Sequence, residues 1–314
     1  SSGKSQESSD TFQKKSGAND NNTRSKAFIE SRKRVARSIR NLENWWYAET
    51  DNYIILSNLQ RRHRKMAHDL QTNIELVRKA YIGLVDPGSR ISSVSVIRVF
   101  ATPEEYEKYV GPALKWTGGV WMPSKKELVI KPVNWGSSRR KQEQVLSTTY
   151  HEALHQYLAH ALSPHTTSAW FNEGHATLVE VAEVRRNRIT IPENQRFIKL
   201  ILKKADRDKL DPRPILAMSY PQFYAGTDNQ RNAHYAMAWA LIYYLQKGAV
   251  IAGKNQYARI PSKYCGALLK TSNPEKATAL AFSGIDMKTF TADLNAFWNT
   301  RRLRVKAERN RLFD

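Results

Sequence analysis

One helical segment constrains this chain more than any other feature. His151-Glu-Ala-Leu-His155 lies in a stretch where Leu146, Ala153, Leu154, Leu158, Ala161 and Leu162 fall at helical spacing, so one face is expected to be buried. At 3.6 residues per turn, histidines four apart stack on one side of a helix. Their nitrogens can then converge on a tetrahedral metal ion while Glu152 stands beside them, toward a water. Cys265 is the single cysteine, which excludes an intramolecular disulfide framework and any Cys-rich zinc module. A metal would therefore rest on histidine and carboxylate. Taken alone, the motif also suits a salt-bridged surface helix.

A third ligand is offered shortly downstream by Trp170-Phe-Asn-Glu-Gly-His-Ala176. Glu173, Ala176 and Glu180 share a helical face, so a small side chain at 176 would let this helix approach the histidine-bearing one while Glu173 reaches the metal. Two histidines and one glutamate leave a coordination position open to water, which marks catalytic rather than structural sites. The metzincin spacing needs a glycine and then a histidine where the chain has Leu158 and Ala161, so that pattern is excluded. His160 stands about 500° around the helix from His155 and reads as a surface or packing residue. His165 is near in sequence only, and His175, about 200° from Glu173, is a weaker candidate unless it meets substrate. Asn172 and Thr177 could orient ligands, but a polar residue at a helix start more often caps it, and capping is the expectation for Asn172.

These residues resemble the gluzincin zinc metallopeptidases of the peptidase MA-like superfamily, with His151, Glu152, His155 and Asn172-Glu173-Gly174 matching. The layout over about residues 45 to 300 is similar to bacterial-type domains of that superfamily. The resemblance implies an α+β, zincin-like fold with the active-site cleft between two lobes. It implies Zn2+ on His151, His155 and Glu173, and peptide-bond hydrolysis, of endopeptidase kind, with Glu152 as general base. Tyr235-Ala-Met-Ala-Trp-Ala-Leu-Ile-Tyr-Tyr-Leu245 resembles the aminopeptidase-branch segment whose leading tyrosine donates to the oxyanion. Tyr235 would take that role; a core tyrosine on an amphipathic helix is the equal alternative. The hairpin before the zinc helix matches the place of a substrate-pairing edge strand, which assigns Gly118, Gly119 and Val120 to substrate binding. That branch carries Gly-x-Met-Glu-Asn there, whereas this chain has Gly119-Val-Trp-Met-Pro123, a departure that puts aminopeptidase activity in doubt.

Four regions are expected. Residues 1–26 are polar, with Phe12 the only large apolar side chain, and read as a disordered tether. Residues 27–136 read as a mixed α/β lobe: helical spacing from Ala27 to Trp46, a strand at Tyr53–Leu56, a helix at 59–84, a strand at 93–100, a helix capped by Thr102 with Pro103 at its start, and a hairpin of 118–122 with 127–130. Residues 137–185 carry the zinc helices, at 138–162 and 171–185. Residues 186–314 read as all α, with helices near 194–205, 231–247 and 286–303.

Charge bears on surroundings rather than fold. Lys and Arg number 50 against 29 acids, a net +21, which favours anionic neighbours. The basic runs Arg61–Lys65, Arg139–Lys141, Arg185–Arg188, Lys203–Lys204 and Arg301–Arg304 are dispersed. Trp45, Trp46, Tyr47 and Tyr53 could stack bases beside the first run, but no nucleic-acid motif accompanies them, so nucleic acid is not the expected partner. A solvated basic face suits an anionic envelope or membrane surface, and an exported or envelope-associated location is expected. Arg139–Lys141 opposes the dipole at the zinc helix's amino end, which suggests an acidic peptide or protein substrate near the cleft. The longest charge-free apolar stretch, Tyr235–Leu245, is 11 residues, short of the roughly 20 that span a bilayer. The rival readings are a metal-fold binding module without turnover and a polyanion-binding envelope protein.

Overall fold

The computed structural model describes residues 24–61, 64–88, 91–132 and 138–311, with the side chains of 302–311 left aside. Most of the tether, and with it Arg62, His63 and Gly136, lies outside the described residues.

The sheet is built on three strands that read as almost unbroken apolar runs, the pattern of strands covered on both faces. They are β2 (Tyr53–Ser57), β3 (Ser95–Val99) and β5 (Glu127–Ile130), parallel to one another. The edges are antiparallel: β1 (Trp46–Glu49) on β2 and β4 (Gly119–Met122) on β5, giving the order β1-β2-β3-β5-β4. Arg98 breaks the apolar run of β3, and its charge is met on the neighbouring strand by two hydrogen bonds to Glu127, at 2.7 and 2.8 Å. With helices on both faces of this mixed sheet, the fold is α+β.

Helix α1 (Lys26–Ser38) packs Phe28 and Val35 with Ile54, Leu56, Val94 and Val96 on one face of the sheet. It ends well before Trp46, which sits on β1; the chain turns between them through Asn44 at φ 62°. The helix after β2 likewise begins at Lys65 rather than 59, as α2 (Lys65–Leu84). At α3 (Pro103–Val110) the expected Thr102 cap forms a full capping box with Glu105.

The opposite face of the sheet carries α2 and α4 (Arg139–Ala161), tied together where Tyr81 Oη donates to the Tyr150 carbonyl at 2.7 Å and Tyr157 Oη to the Val85 carbonyl at 2.6 Å. Next comes α5 (Ala169–Val179), every residue of which is buried except Asn172. The helix expected over 171–185 stops at Val179; the chain then folds into a hairpin, β6 (Glu183–Arg185) and β7 (Arg188–Thr190), so the C-terminal half is not all α. The rest is α6 (Gln195–Ala205), the short α7 (Arg213–Ala217) and α8 (Tyr220–Tyr224), then α9 (Asp228–Tyr243), which continues as a π-helical turn over Tyr244–Gly248. After these come α10 (Ala249–Ile251), α11 (Asn255–Ala258), α12 (Ile260–Thr271), α13 (Pro274–Ala281) and α14 (Met287–Arg311). One continuous core joins β2, β3 and β5 through α4, α5 and α9 to Trp298 on α14.

Helix α5 is held against α9 by a close crossing. A Cβ at Gly174 would stand 2.5 Å from Ile242 Cγ1 and 2.7 Å from the Ala238 carbonyl oxygen, so only glycine lets the backbones approach this far. That contact positions Glu173, one residue earlier.

Candidate metal centre

His151 and His155 lie one turn apart on α4, with ring centroids 4.8 Å from each other, and Glu173 reaches them from the buried helix α5. His151 Nε2 is 3.4 Å from Glu173 Oε2, and His155 Nε2 is 3.6 Å from Glu173 Oε1. One ligand atom from each of the three residues falls within 4.8 Å of the others, an arrangement that could hold a metal ion. Glu173 Oε2 is buried and has no hydrogen-bond partner. An orphaned carboxylate oxygen in the interior is costly, and a cation between the imidazoles would satisfy it.

The other ring nitrogens show why these are ligand-type histidines. His151 Nδ1–H donates to Glu180 Oε2 at 2.9 Å, and His155 Nδ1–H donates to Asn172 Oδ1 at 2.7 Å. A proton fixed on Nδ1 leaves the Nε2 lone pair of a neutral imidazole free, and both Nε2 atoms face Glu173. The supports are themselves held: Asn172 Nδ2 donates to Tyr220 Oη at 2.7 Å, and Glu180 Oε1 accepts from Asn194 Nδ2 at 2.7 Å. Asn172 is therefore a positioning residue for His155, not the cap; Ser168 holds the N-cap position of α5. Glu180 shares a helical face with Glu173 in the sequence pattern, but its hold on His151, 29 positions away, has no signature in the spacing. Thr177 Oγ1 bonds back to the Glu173 carbonyl at 2.7 Å and orients no ligand.

Electrostatics follow from this enclosure. Burial would raise the Glu173 carboxyl, but the facing His155 and His151 and the Tyr224 hydroxyl hold it down at about 2. Burial opposes charge on His151, yet Glu173 and Glu180 carry its pKa well above the ordinary histidine range, so the two carboxylates favour a positive charge at Nε2, whether a proton or a metal ion. Tyr224, on α8, donates to Glu173 Oε1 at 2.5 Å, a contact that sequence spacing could not signal. Tyr235, at the inner side of α9, has its phenol raised by burial first and then by the carboxylates of Glu173, Glu152 and Glu180, with Arg196 acting the other way. The phenol therefore stays protonated, able to donate.

Glu152 faces the sheet edge: its Oε2 accepts the Trp121 backbone N–H at 2.8 Å. Gly118 O accepts from Lys131 N at 3.0 Å, so along the antiparallel β4–β5 pair Gly118, Val120 and Met122 turn their backbone groups inward. Gly119 and Trp121 turn theirs away from β5, and it is the Trp121 N–H on that side that meets Glu152. Of the three residues assigned to substrate pairing, Gly119 alone has an outward N–H and C=O. A Cβ there would come within 3.1 Å of Ile130 Cδ1 and of Thr148 Cγ2, so the glycine brings β4 close to α4.

The remaining histidines near the motif are not in the cluster. His160 packs edge-on against Trp121 at 5.8 Å, and burial, with Arg78 and Lys126, depresses it to about 4. His175 is fully buried, donates from Nδ1 to the Phe171 carbonyl at 2.7 Å, accepts at Nε2 from Gln246 at 2.9 Å, and is likewise depressed to about 4 by burial.

A family model described as "Protein of unknown function (DUF1570)" matches residues 145–258. The matched span takes in His151, His155, Glu173, Glu180, Tyr224 and Tyr235 and leaves out the five-stranded sheet. A search of curated proteins returns no match to the chain. Among the described residues no helix is long and apolar enough to cross a membrane.

Proposed function

We propose that this chain is a zinc-dependent peptide hydrolase of zincin-like architecture, in which His151, His155 and Glu173 hold the metal. The observation that carries the reading is the buried Glu173 carboxylate, its Oε2 without a hydrogen-bond partner, facing the Nε2 atoms of His151 and His155, whose Nδ1 protons are already committed to Glu180 and Asn172. Two nitrogens and one carboxylate suit zinc with a position left open. A zinc ion there would supply a Lewis acid that acidifies a coordinated water and polarises the scissile carbonyl.

The chain's own groups do the rest. Glu152, steadied by the Trp121 N–H, takes the proton of the attacking water and returns it to the leaving amine, a task worth about two to four powers of ten. Tyr235 donates from its protonated phenol to the carbonyl oxygen as charge develops there. Gly119 offers a backbone N–H and C=O to an extended substrate lying antiparallel along β4. The net charge of +21 supports work beside an anionic envelope or membrane surface.

The test is the Glu152→Gln protein, assayed on a mixed peptide library with and without chelator. It should keep its zinc and its fold yet lose the chelator-sensitive cleavage of the parent. Equal turnover in the two proteins would refute the assignment of the base.

A further inference from the structure

We propose that the outward face of α6 is a cationic track that delivers acidic polypeptide to the metal centre. Helix α6 starts at that centre: its N-cap, Asn194, donates from Nδ2 to Glu180, the same carboxylate that holds His151, and accepts Arg196 N at 3.1 Å. Arg196 is thereby fixed one step from the metal ligands, close enough to act on the Tyr235 phenol, and its guanidinium lies over the Phe197 ring at 4.9 Å. From there Arg196, Lys199 and Lys203 follow at offsets 3 and 7 on the exposed face, while Phe197, Ile198, Ile201 and Ala205 fill the buried one.

No acid occurs within α6, and among the described residues none of these three cations is in an ion pair. Arg139 differs: it is matched to Glu143 at 2.8 Å and stands twelve residues, about 18 Å, along α4 from His151. The α6 cations, by contrast, begin beside the centre and have no acidic partner among the described residues. Arg196 to Lys203 spans about 10 Å, the length of about three extended residues. The face carries no aromatic side chain on which a base could stack, which favours an acidic peptide over single-stranded nucleic acid. The fate of the bound chain rests on the hydrolase reading above; the binding rests on the charge pattern alone.

The experiment is fluorescence anisotropy of a short fluorescein-labelled Glu-rich peptide on the zinc-loaded full chain carrying Glu152→Gln, with a Gly/Ser peptide and a single-stranded oligonucleotide as comparisons, across a salt series. The Glu-rich peptide should bind best, and its affinity should fall as salt rises. Lys199→Glu with Lys203→Glu should weaken it about tenfold, a sum of surface ion contacts reversed in sign, with zinc content and thermal midpoint unchanged. Lys263→Glu with Lys270→Glu, the same charge change on α12, should have far less effect. Equal binding by the α6 variant, an equal loss in the α12 variant, or tighter binding of the oligonucleotide through the same lysines would overturn the inference. A protein that binds the peptide by these rules while the parent shows no chelator-sensitive cleavage of the mixed peptide library would leave the track standing and remove the hydrolase reading.

Discussion

Gly174→Ala is the sharpest probe of how the fold builds the centre. The new methyl would meet Ile242 Cγ1 at 2.5 Å and the Ala238 carbonyl oxygen at 2.7 Å. Ile242 can turn aside, but the Ala238 carbonyl belongs to the backbone of α9 and cannot, so α5 must back away by about 0.7 Å to reach an ordinary contact. Overpacking of this kind costs about 1–3 kcal/mol, and the better helix propensity of alanine returns about 1 kcal/mol, leaving a net loss of up to about 2 kcal/mol. In a chain of this size each kcal/mol lowers the thermal midpoint by about 1.5 °C. The larger effect falls on the metal: Glu173 moves with its helix, and ligand distances tolerate only about 0.2 Å. Chelator-competition titration should show zinc affinity lowered by at least about tenfold, the scale seen when ligand-orienting contacts are lost. A variant that melts at or above the parent midpoint and binds zinc as tightly would refute the claim that this crossing sets the position of Glu173.

Four further outcomes are expected. Glu180→Gln and Asn172→Ala should each lower zinc affinity by about ten- to a hundredfold in the same titration while leaving all three ligands in place. Tyr235→Phe should cut kcat by roughly a hundredfold or more with zinc content and KM little changed, as loss of a donor to a developing oxyanion does. Tyr224→Phe should instead act on zinc affinity, because its hydroxyl touches Glu173, and a drop in kcat at full zinc occupancy would reverse the two roles. His160 is depressed to about 4 in the fold, so its contribution to stability is present above the ordinary value near 6.5 and is lost as pH falls from there toward 4. Across that window denaturant titrations should show the parent losing about 3 kcal/mol more than His160→Gln, and parallel curves would contradict the burial argument.

Much of the centre was legible because helical periodicity is local. The spacing of His151 and His155 fixed their shared face, and Glu173 lay within the next helical segment, so one turn geometry predicted the cluster. The Thr102-Pro-Glu-Glu105 capping box and the β4–β5 hairpin were readable for the same reason. What escaped depends on contacts distant in sequence or on turns without their usual residues. Tyr224 meets Glu173 across 51 positions through a five-residue helix. The β6–β7 turn is made by Arg186 and Asn187 at φ 49° and 58°, without the glycine that would have announced a hairpin, so the segment passed for helix. Asn172 read as a cap because caps and ligand-orienting amides use the same side chain, and only the position of His155 separates them.

The central claim is that three side chains, His151, His155 and Glu173, hold one divalent ion. Elemental analysis of protein produced with zinc in the medium, parent beside Glu173→Ala, tests it most directly. The account predicts about one zinc per chain in the parent, the single-site stoichiometry of such centres, and near none in a folded Glu173→Ala. A parent without metal, or a variant that keeps it, would contradict the account.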